Sequence, residues 1–434
     1  MIFVVIVSIL TYIGMVFFSK HRTPIALMGS GLLLILGSLT GAVDVNAAFA
    51  KFPSEIVVLI IVLAIFTKIF EDLGLIDYIG YMFITSSKGK KSLLMIIIPI
   101  VMYACSLFMN NLTVVLLFTY MLLYIAVEYN LPIIPLLVSV VIGSNIGGAP
   151  LPWADTPAVV LTLYSDFGLL DFLDKLFIPC MIYTGLLALY TYIWYKKTKT
   201  SGNRFLPFRD KPEIKWNKAI PAIIIFILFI ASVSIGPFIN ISIAFFSLVF
   251  GSIGLLIHDR SPIDTINNLP ILDSLCFIIA LFLIGGVLEY TGILSIIAEY
   301  IISLTNENSY LIMLAVLFTA FIIATFLSAG PAAATLLPIC VNLDPLVANN
   351  LVFAALALGI LAGSSMLPWS ATGGPVLFGE VNRFLSEVKV NEHHKERIMK
   401  VYDLKSYISF SVPFSFIMLI CSTLYLIMYL NIVS

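Results

Sequence analysis

Residues 143–157, GSNIGGAPLPWADTP, place groups that could bind an ion at a point where a helix should run uninterrupted. The apolar run LPIIPLLVSVVI precedes them and AVVLTLY follows them. Because Gly and Pro prevent a continuous helix, backbone carbonyls are freed to coordinate a cation, and the half-helix that follows points its amides and dipole at the same place. Asp155 adds a carboxylate there, and Ser144, Asn145 and Thr156 add uncharged ligands.

Asp155 is the candidate with the strongest chemical consequence. A carboxylate within a membrane-spanning helix costs roughly 2.5–3.5 kcal/mol, so its presence calls for a reason. It could bind sodium, carry a proton, or alternate between them and so couple two ions at one site. The alternative is that it caps the second half-helix at its first turn, where a cap stabilises by about 0.5–2 kcal/mol. The two roles are compatible.

The composition requires a lipid bilayer around most of this chain. Of its 434 residues 61% are hydrophobic and 11% charged, whereas soluble proteins have about 45–50% apolar and 25% charged residues. Apolar stretches of spanning length recur and alternating strands do not, so we predict an all-α polytopic membrane protein. The net charge of −1 gives no nucleic-acid footprint, and the five Cys show no metal spacing. We expect no metal site and no cofactor, with sodium or a proton as coupling ion.

The sequence also repeats itself at long range. FEDLGLIDYIGY pairs with LEYTGILSIIAEY, which places Glu71 opposite Glu289, and FMNNLTVVLLF pairs with FLSAGPAAATLLP at the same spacing. PWADT at 152–156 pairs with PWSAT at 368–372, at nearly that spacing. These matches in one order predict two repeats, 1–195 and 218–434, joined by a basic linker at 196–217.

Each repeat is predicted to hold three spans, an amphipathic stretch, two short apolar segments, a broken span and a last span. In the first repeat these are 2–18, 25–43 and 54–70, then 71–86, then 92–109 and 111–127, then 131–164, then 173–194. In the second they are 219–234, 240–257 and 272–288, then 289–304, then 310–327 and 331–343, then 350–379, then 406–431. A crossing helix needs about 20 apolar residues, so the short segments, which meet at the polar tips NNLT and SAGP, suggest a re-entrant hairpin. Five crossings per repeat is an odd number, so about ten transmembrane helices form two inverted repeats.

The basic residues support this topology. With the N-terminus outside, all but two of the 23 Lys and Arg fall inside, the exceptions being Lys51 and Lys175. We therefore predict a multi-pass protein of the cell (inner) membrane with a cytoplasmic linker and both termini outside. The first apolar run lacks a small-residue cleavage site, so we interpret it as a span rather than a signal peptide.

Inverted repeats with an interrupted helix in each indicate a secondary transporter with its binding site at the repeat interface. Further candidate ligands therefore lie at the hairpin tips and the second break. They are Asn110, Asn111, Thr113, Ser328 and Gly330 at the tips, and Ser364, Ser365, Ser370 and Thr372 at the break. The alternative for the tips is that their polar groups only satisfy hairpin amides. Trp153 and Trp369 could stack on an organic substrate, or could serve packing or interface anchoring. Ala371 stands opposite Asp155, so the site has one acid.

The segments EIVVLIIVLAIFTKIFEDLGLIDYIG, NNLTVVLLF and GSNIGGAPLPWADTPAVV resemble the ion transporter superfamily, specifically its arsenite permease and NhaD-type sodium/proton antiporter branch. The resemblance implies a homodimer with a scaffold domain and a transport domain that moves as an elevator. It assigns the acid of the first break to Asp155, the uncharged ligands to Ser144 and Asn145, and the tip residues to Asn111 and Thr113. Asn110 stands where the antiporter pattern has Asp, and no Arg or Lys lies near either break to hold a dicarboxylate.

The leading hypothesis is a secondary active transporter that exchanges sodium or another cation for protons through Asp155. The alternative is a sodium- or proton-coupled carrier of an anion or small organic solute, such as arsenite or an organic acid. A channel or an uncoupled membrane scaffold is a third possibility. No catalytic arrangement and no nucleotide-binding motif is visible, so we expect no enzyme, and transport must draw on an ion gradient.

Overall fold

A computed structural model shows the protein as a bundle of α-helices. It describes residues 2–18, 21–41, 43–44, 54–108, 111–128, 131–165, 167–198, 213–235, 241–258, 260–267, 269, 272–327, 329–371, 373–374, 377, 381 and 404–433. No β-strand is found within these ranges. The all-α prediction is confirmed for this part of the chain.

The helices lie within a few residues of the predicted apolar segments. The first half of the chain contains α1 (Ile2–Phe17), α2 (Arg22–Leu39), α3 (Ser54–Asp72), α4 (Leu75–Ser86), α5 (Lys91–Ser106), α6 (Asn111–Glu128), α7 (Ile133–Gly147), α8 (Thr156–Tyr164) and α9 (Leu169–Lys197). The second half contains α10 (Trp216–Ile235), α11 (Ile243–Ile257), α12 (Pro262–Asn267), α13 (Leu272–Tyr290), α14 (Ile293–Thr305), α15 (Ser309–Leu327), α16 (Ala329–Leu343), α17 (Leu351–Ser364) and α18 (Leu404–Val433). Four elements were not predicted, namely α12, a π-helical turn at Phe172–Phe177 within α9, and short 3-10 helices at Asp344–Leu346 and Ala348–Asn350.

Three helices in the described ranges are long and apolar enough to cross a membrane, judged by length and composition. They are α9 with 29 residues, α15 with 19 residues and a 29-residue stretch of α18. Others, including α5 and α7, are apolar but only 10–17 residues long. The expectation that segment 310–327 is too short to cross a membrane was wrong, because the 19 residues of α15 are long enough for a crossing.

The broken helices α7 and α17 form the centre of the molecule. Every residue of α7 is buried, and so is nearly every residue of α17. Helix α7 packs against α5, and α17 packs against α15. The outer helices pair across the two halves, since α2 packs on α13 and α3 packs on α11. The two halves are therefore intertwined around the breaks rather than folded as separate units.

Glycine permits the close packing of each broken helix. A Cβ atom added at Gly147 would lie 2.4 Å from the carbonyl oxygen of Tyr103 in α5, and one at Gly363 would lie 2.1 Å from that of Phe321 in α15. Both distances are far inside van der Waals contact, so only glycine fits without a shift of backbone. The two glycines occupy equivalent positions, because they pair in the same register as PWADT and PWSAT.

We expect Gly363→Ala to destabilise the protein by about 1–3 kcal/mol, because the added methyl group meets backbone rather than a side chain that could move. Gly185→Ala in α9 is the matched control, since a Cβ there would have no neighbour within 4 Å. Thermal unfolding midpoints of the two variants in detergent measure the difference. Equal midpoints would contradict the close packing of α17 on α15.

Candidate functional site

The segment between α7 and α8 is a true interruption of a buried helix. Helix α7 ends at Gly147, and residues 148–155 run without helical structure until α8 begins at Thr156. Pro150 and Pro152 lie within the interruption, and their missing amide hydrogens prevent the helix from continuing through it. The predicted break is therefore present, and the whole interruption is buried or half-buried.

Asp155 is buried at the start of α8, with 9% of its surface exposed. Asp155 is the N-cap residue of α8, its side chain makes no hydrogen bond of capping geometry, and the Thr156 amide at the helix start interacts with its carboxylate, so the cap and the transport interpretations both stay predictions. The amide nitrogen of Asn111 donates to Asp155 Oδ2 at 2.8 Å, whereas Oδ1 has no hydrogen-bond partner among the described residues. Within the described part of the chain no cation forms an ion pair with it. One buried carboxylate oxygen is thus left for a ligand.

Asn111 is held in place by α5. The Ser106 hydroxyl contacts Asn111 Oδ1 and lies within donating distance, 2.7 Å, of the carbonyl oxygen of Ser144. A Cβ atom at Gly148 would lie 2.8 Å from both Asn111 Nδ2 and the Asp155 Cβ. Glycine at this position therefore lets Asn111 reach Asp155. Sequence reasoning missed Ser106, whose only signal is a hydroxyl at the end of an apolar helix shortly before Asn111.

We expect Asn111→Ala to weaken cation binding at Asp155 by about tenfold or more, because a hydrogen bond to a charged group contributes about 1.5–3 kcal/mol. Asn342→Ala is the control, since Asn342 is exposed and its hydrogen bond among the described residues is to the Pro338 carbonyl of its own helix. Cation-dependent proton release from the purified protein provides the measurement. Equal affinities in both variants would show that Asn111 does not support the carboxylate.

The first break meets residues from the second half of the chain. The amide nitrogen of Asn145 lies 3.4 Å from the Ser365 hydroxyl oxygen. Helix α8 packs on α16, where a Cβ atom added at Gly330 would lie 3.4 Å from the methyl group of Thr156. The structure thus brings candidates from both halves of the chain to one place.

The second break contains no acid at the corresponding position. Ala371 is fully buried there. The Ser370 hydroxyl lies 2.7 Å from the Leu367 carbonyl oxygen and 3.0 Å from that of Ser364, and the Ser411 hydroxyl donates to the Met366 carbonyl at 2.7 Å. Hydroxyls thus reach carbonyls at the second break as the Ser106 hydroxyl does near the first, and the missing acid is what makes the two breaks chemically unequal.

A cavity opens beside Asp155, between the first break and the helices of the second half. Its volume is about 30 Å³, which is room for about two water molecules or a small ion. Asn145, Asp155 and Ser364 contribute polar side chains to its wall. The rest of the wall comes from α8, α16, α17 and Phe172 in the π-helical turn, and it consists mainly of alanine and leucine side chains.

Comparison with known proteins identifies the family. The model of the citrate transporter family CitMHS matches residues 4–363 and 263–433. The chain belongs to the CitMHS family. This CitMHS member is therefore a membrane transporter and not an enzyme.

Related proteins agree with this assignment along most of the chain. The CitMHS member is 22% identical to the magnetosome protein MamN of Magnetospirillum gryphiswaldense over 419 residues, 92% of each chain. It is 22% identical to a 46 kDa membrane protein of Mycobacterium leprae, covering 86% of this chain and 88% of that one. The crystal structure of the Alcanivorax borkumensis YdaH transporter superimposes with a TM-score of 0.65 at 13% identity, covering 95% and 98% of the two chains. That structure shares the fold. The predicted membership of the arsenite permease and NhaD-type branch stays a prediction.

Other candidate residues of this CitMHS member take different places. Trp153 packs with Leu151 and Ala154, and neither it nor the half-buried Trp369 lines the cavity, so their stacking role stays a prediction. The Ser144 hydroxyl donates to Val141 in its own helix. Asn110, Ser328 and Thr372 lie outside the described residues, as does the side chain of Thr113.

Proposed function

We propose that this CitMHS member is a secondary active transporter that exchanges a cation, sodium in the first instance, for protons at Asp155. The observation that carries the proposal is the buried Asp155 Oδ1, which has no partner among the described residues. A buried carboxylate without a counter-charge is unstable unless a proton or a cation neutralises it. The proton and the cation would both bind Asp155 Oδ1. They therefore cannot bind together, and exchange requires that they bind one at a time.

The surroundings of Asp155 supply candidate sodium ligands. Carbonyl groups of the interruption at 148–154 lie outside the helices, although that of Leu151 accepts from the Ala154 amide, and broken helices in transporters use such carbonyls to coordinate Na⁺. The side chains of Asn145 and Ser364 line the same cavity. Asn111 keeps the other carboxylate oxygen in a fixed orientation.

The transport cycle we propose uses two inverted repeats, 1–195 and 218–434, as an elevator within a homodimer. Three observations support the repeats. They are the equivalent positions of Gly147 and Gly363 in the two broken helices, the reciprocal packing of α2 on α13 and of α3 on α11, and the meeting of the breaks at one cavity.

Inverted repeats predict that single cysteines at positions 51 and 90 are labelled from opposite sides of the membrane. A membrane-impermeant maleimide applied to intact cells and to inverted vesicles measures this, with the cysteine-depleted protein as background. Labelling of both positions from one side would overturn the proposed topology.

A second candidate function is ion-coupled carriage of an anion or small organic solute. The apolar wall of the cavity favours it, because alanine and leucine side chains supply no ligands to a bare ion. The description of the family as citrate transporters points the same way. In this version Asp155 binds the coupling ion and the cavity holds the solute.

Proteoliposomes that enclose a pH-sensitive dye separate the two candidates. Under cation/proton exchange, an imposed sodium gradient moves protons without any added solute. Under the second candidate, proton or sodium movement begins only when a solute such as citrate is added. Absence of proton flux with every cation tested would overturn the exchange proposal.

A further inference from the structure

We propose that the hydroxyl groups of Tyr12 and Thr335 form a latch, which stabilises the conformation of this structure and opens in each transport cycle. The inference rests on the proposed function, because it gives the proposed elevator movement a contact between named side chains. Tyr12 and Thr335 are thereby positioning residues for transport, since neither lines the cavity beside Asp155.

The cavity beside Asp155 is too small for transport without a movement of its wall. Its volume of about 30 Å³ is room for about two water molecules or a small ion. An ion with its shell of water, or an organic acid, needs more space than this. Helices of the wall must therefore move before either can reach the carboxylate.

Two sets of helices meet beside this cavity. Helices α1, α2 and α13 pack together, and we call them the outer pack. Helices α8, α15, α16 and α17 pack together and contain most of the cavity wall, and we call them the inner pack. The boundary between the packs is formed by α13 against α16 and by α1 against α15. A movement of the wall relative to α1 takes place at this boundary.

Helix α16 has the cavity on one face and the boundary on the other. Ala329, Ala333 and Leu337 line the cavity and, at a spacing of four residues, lie on one face of α16. Thr335 lies two residues from Ala333 and from Leu337, and two residues turn an α-helix by about 200°. Thr335 therefore lies on the opposite face, where it meets α1.

The latch is a hydrogen bond across the boundary. The hydroxyl oxygens of Tyr12 in α1 and Thr335 in α16 lie 2.8 Å apart, and both residues are half-buried. Among the described residues, this is the one side-chain hydrogen bond that joins the outer pack to the inner pack. In apolar surroundings no water replaces a lost partner, so the bond favours the one position in which the two hydroxyls meet.

The packing of α13 on α16 involves small residues. A Cβ atom added at Gly285 of α13 would lie 3.8 Å from the carbonyl oxygen of Ala334 in α16, and within 4 Å of no other atom of the described residues. Packed helices can slide past each other by shear, and a contact of this kind has no large side chain to oppose it. Sliding of α16 would break the latch early, because hydrogen bonds weaken steeply when their geometry is lost.

Double electron–electron resonance of the full-length, cysteine-depleted protein in lipid nanodiscs tests the latch. Spin labels at the exposed positions Leu32 in α2 and Ile322 in α15 report the distance between the packs. Dilution with unlabelled protein keeps each measured distance within one chain. Tyr12→Phe removes only the hydroxyl group. It should lower the population of the conformation of this structure relative to the others by about threefold to tenfold, the factor that one hydrogen bond between neutral groups contributes.

Further variants identify the hydroxyl pair as the cause. Thr335→Val should reproduce the shift, and the double variant should shift the populations no further than either single change, because the two residues share one bond. Thr335→Ser keeps a hydroxyl group and should keep the wild-type populations. Thr11→Val is the matched control, since the Thr11 hydroxyl donates within its own helix, to the Val7 carbonyl.

Two outcomes would overturn the latch. They are unchanged populations in Tyr12→Phe and Thr335→Val, and an equal shift in Thr11→Val. Either single variant is sufficient if the other does not fold. Sodium-driven proton flux in vesicles is measured separately. If the flux is present and the populations do not shift, the latch fails and the proposed function stands. If the populations shift and no cation drives proton flux, the latch stands and the exchange function fails.

Discussion

Replacing Asp155 by asparagine is expected to reduce cation-driven proton exchange by at least about a hundredfold. Asparagine carries no charge to attract a cation and no proton to release. Loss of one partner from a buried ion pair costs about 3–5 kcal/mol, which corresponds to a factor of about a hundred to several thousand in affinity. Initial rates of dye quenching in proteoliposomes at matched protein content measure the effect.

The fold should tolerate this substitution. Asparagine has the shape of aspartate, its side-chain oxygen can still accept the hydrogen bond from Asn111, and asparagine is itself a favourable residue at the N-cap position of α8. Removing an uncompensated buried charge should leave the thermal midpoint unchanged or raise it. Loss of exchange together with an intact midpoint therefore separates a transport role from a structural one.

Glu71→Gln is the matched control for loss of an acid. Glu71 is 41% exposed, lies at the end of α3 and pairs only with Lys68 among the described residues. We expect it to keep the full exchange rate. Full exchange by the Asp155→Asn variant would show that the coupling acid lies elsewhere in the chain.

The position of the break and its acid could be predicted from sequence because both are local signals. Gly and Pro clustered within a few residues, as at 147–152, interrupt a helix, and a carboxylate among apolar residues is conspicuous in any context. The partner of Asp155 was also predictable as a candidate, since Asn111 stands at the tip between two apolar segments. The repeat then located the second break, which contains Ala371 where the first has the acid.

The cavity could not be predicted in this way, because its wall is assembled from distant segments. Phe172 enters it through a π-helical turn that has no clear sequence signature. Ser106 cannot be distinguished from other small residues in the sequence, and only the fold shows that it contacts Asn111. The tryptophans were predicted by residue type, whereas alanine and leucine side chains build the described wall. Apolar residues carry little positional information on their own, so only packing reveals which of them face a cavity.

Neighbouring acids at the end of α3 show the same limit. Glu71 and Asp72 have equivalent chemistry in the sequence, where both simply follow an apolar span. In the structure Asp72 is 5% exposed and Glu71 is 41% exposed. Because neighbouring residues on a helix face different directions, Asp72 faces α11 and Glu71 faces the outside. Their contributions to stability should therefore differ widely.

Asp72→Asn is expected to destabilise the protein by about 3 kcal/mol, although the site lies far from Asp155 in sequence. The Asp72 carboxylate lies 3.1 Å from His258 Nε2, 3.4 Å from the Lys68 ammonium and 3.3 Å from the Arg260 guanidinium. His258 and Arg260 follow α11, so the carboxylate joins α3 to the other half of the chain. Its loss leaves the half-buried Lys68 paired only with the exposed Glu71 among the described residues and takes the carboxylate from the buried His258, and removing one partner of a buried pair is strongly destabilising.

Glu71→Gln again provides the comparison, now for stability. An exposed ion pair contributes about 0–1 kcal/mol, so this variant should unfold close to the wild-type temperature, while Asp72→Asn should unfold several degrees lower in the same detergent. Added salt should lower the contribution of Glu71 to the free energy of unfolding and leave that of Asp72 largely unchanged. The reason is that buried ion pairs are screened much less than exposed ones. Equal midpoints for the two variants would show that the contact between α3 and α11 depends on apolar packing alone. A lower midpoint for Asp72→Asn alone would mean that one buried carboxylate stabilises the packing of α3 on α11, which is part of the proposed inverted architecture.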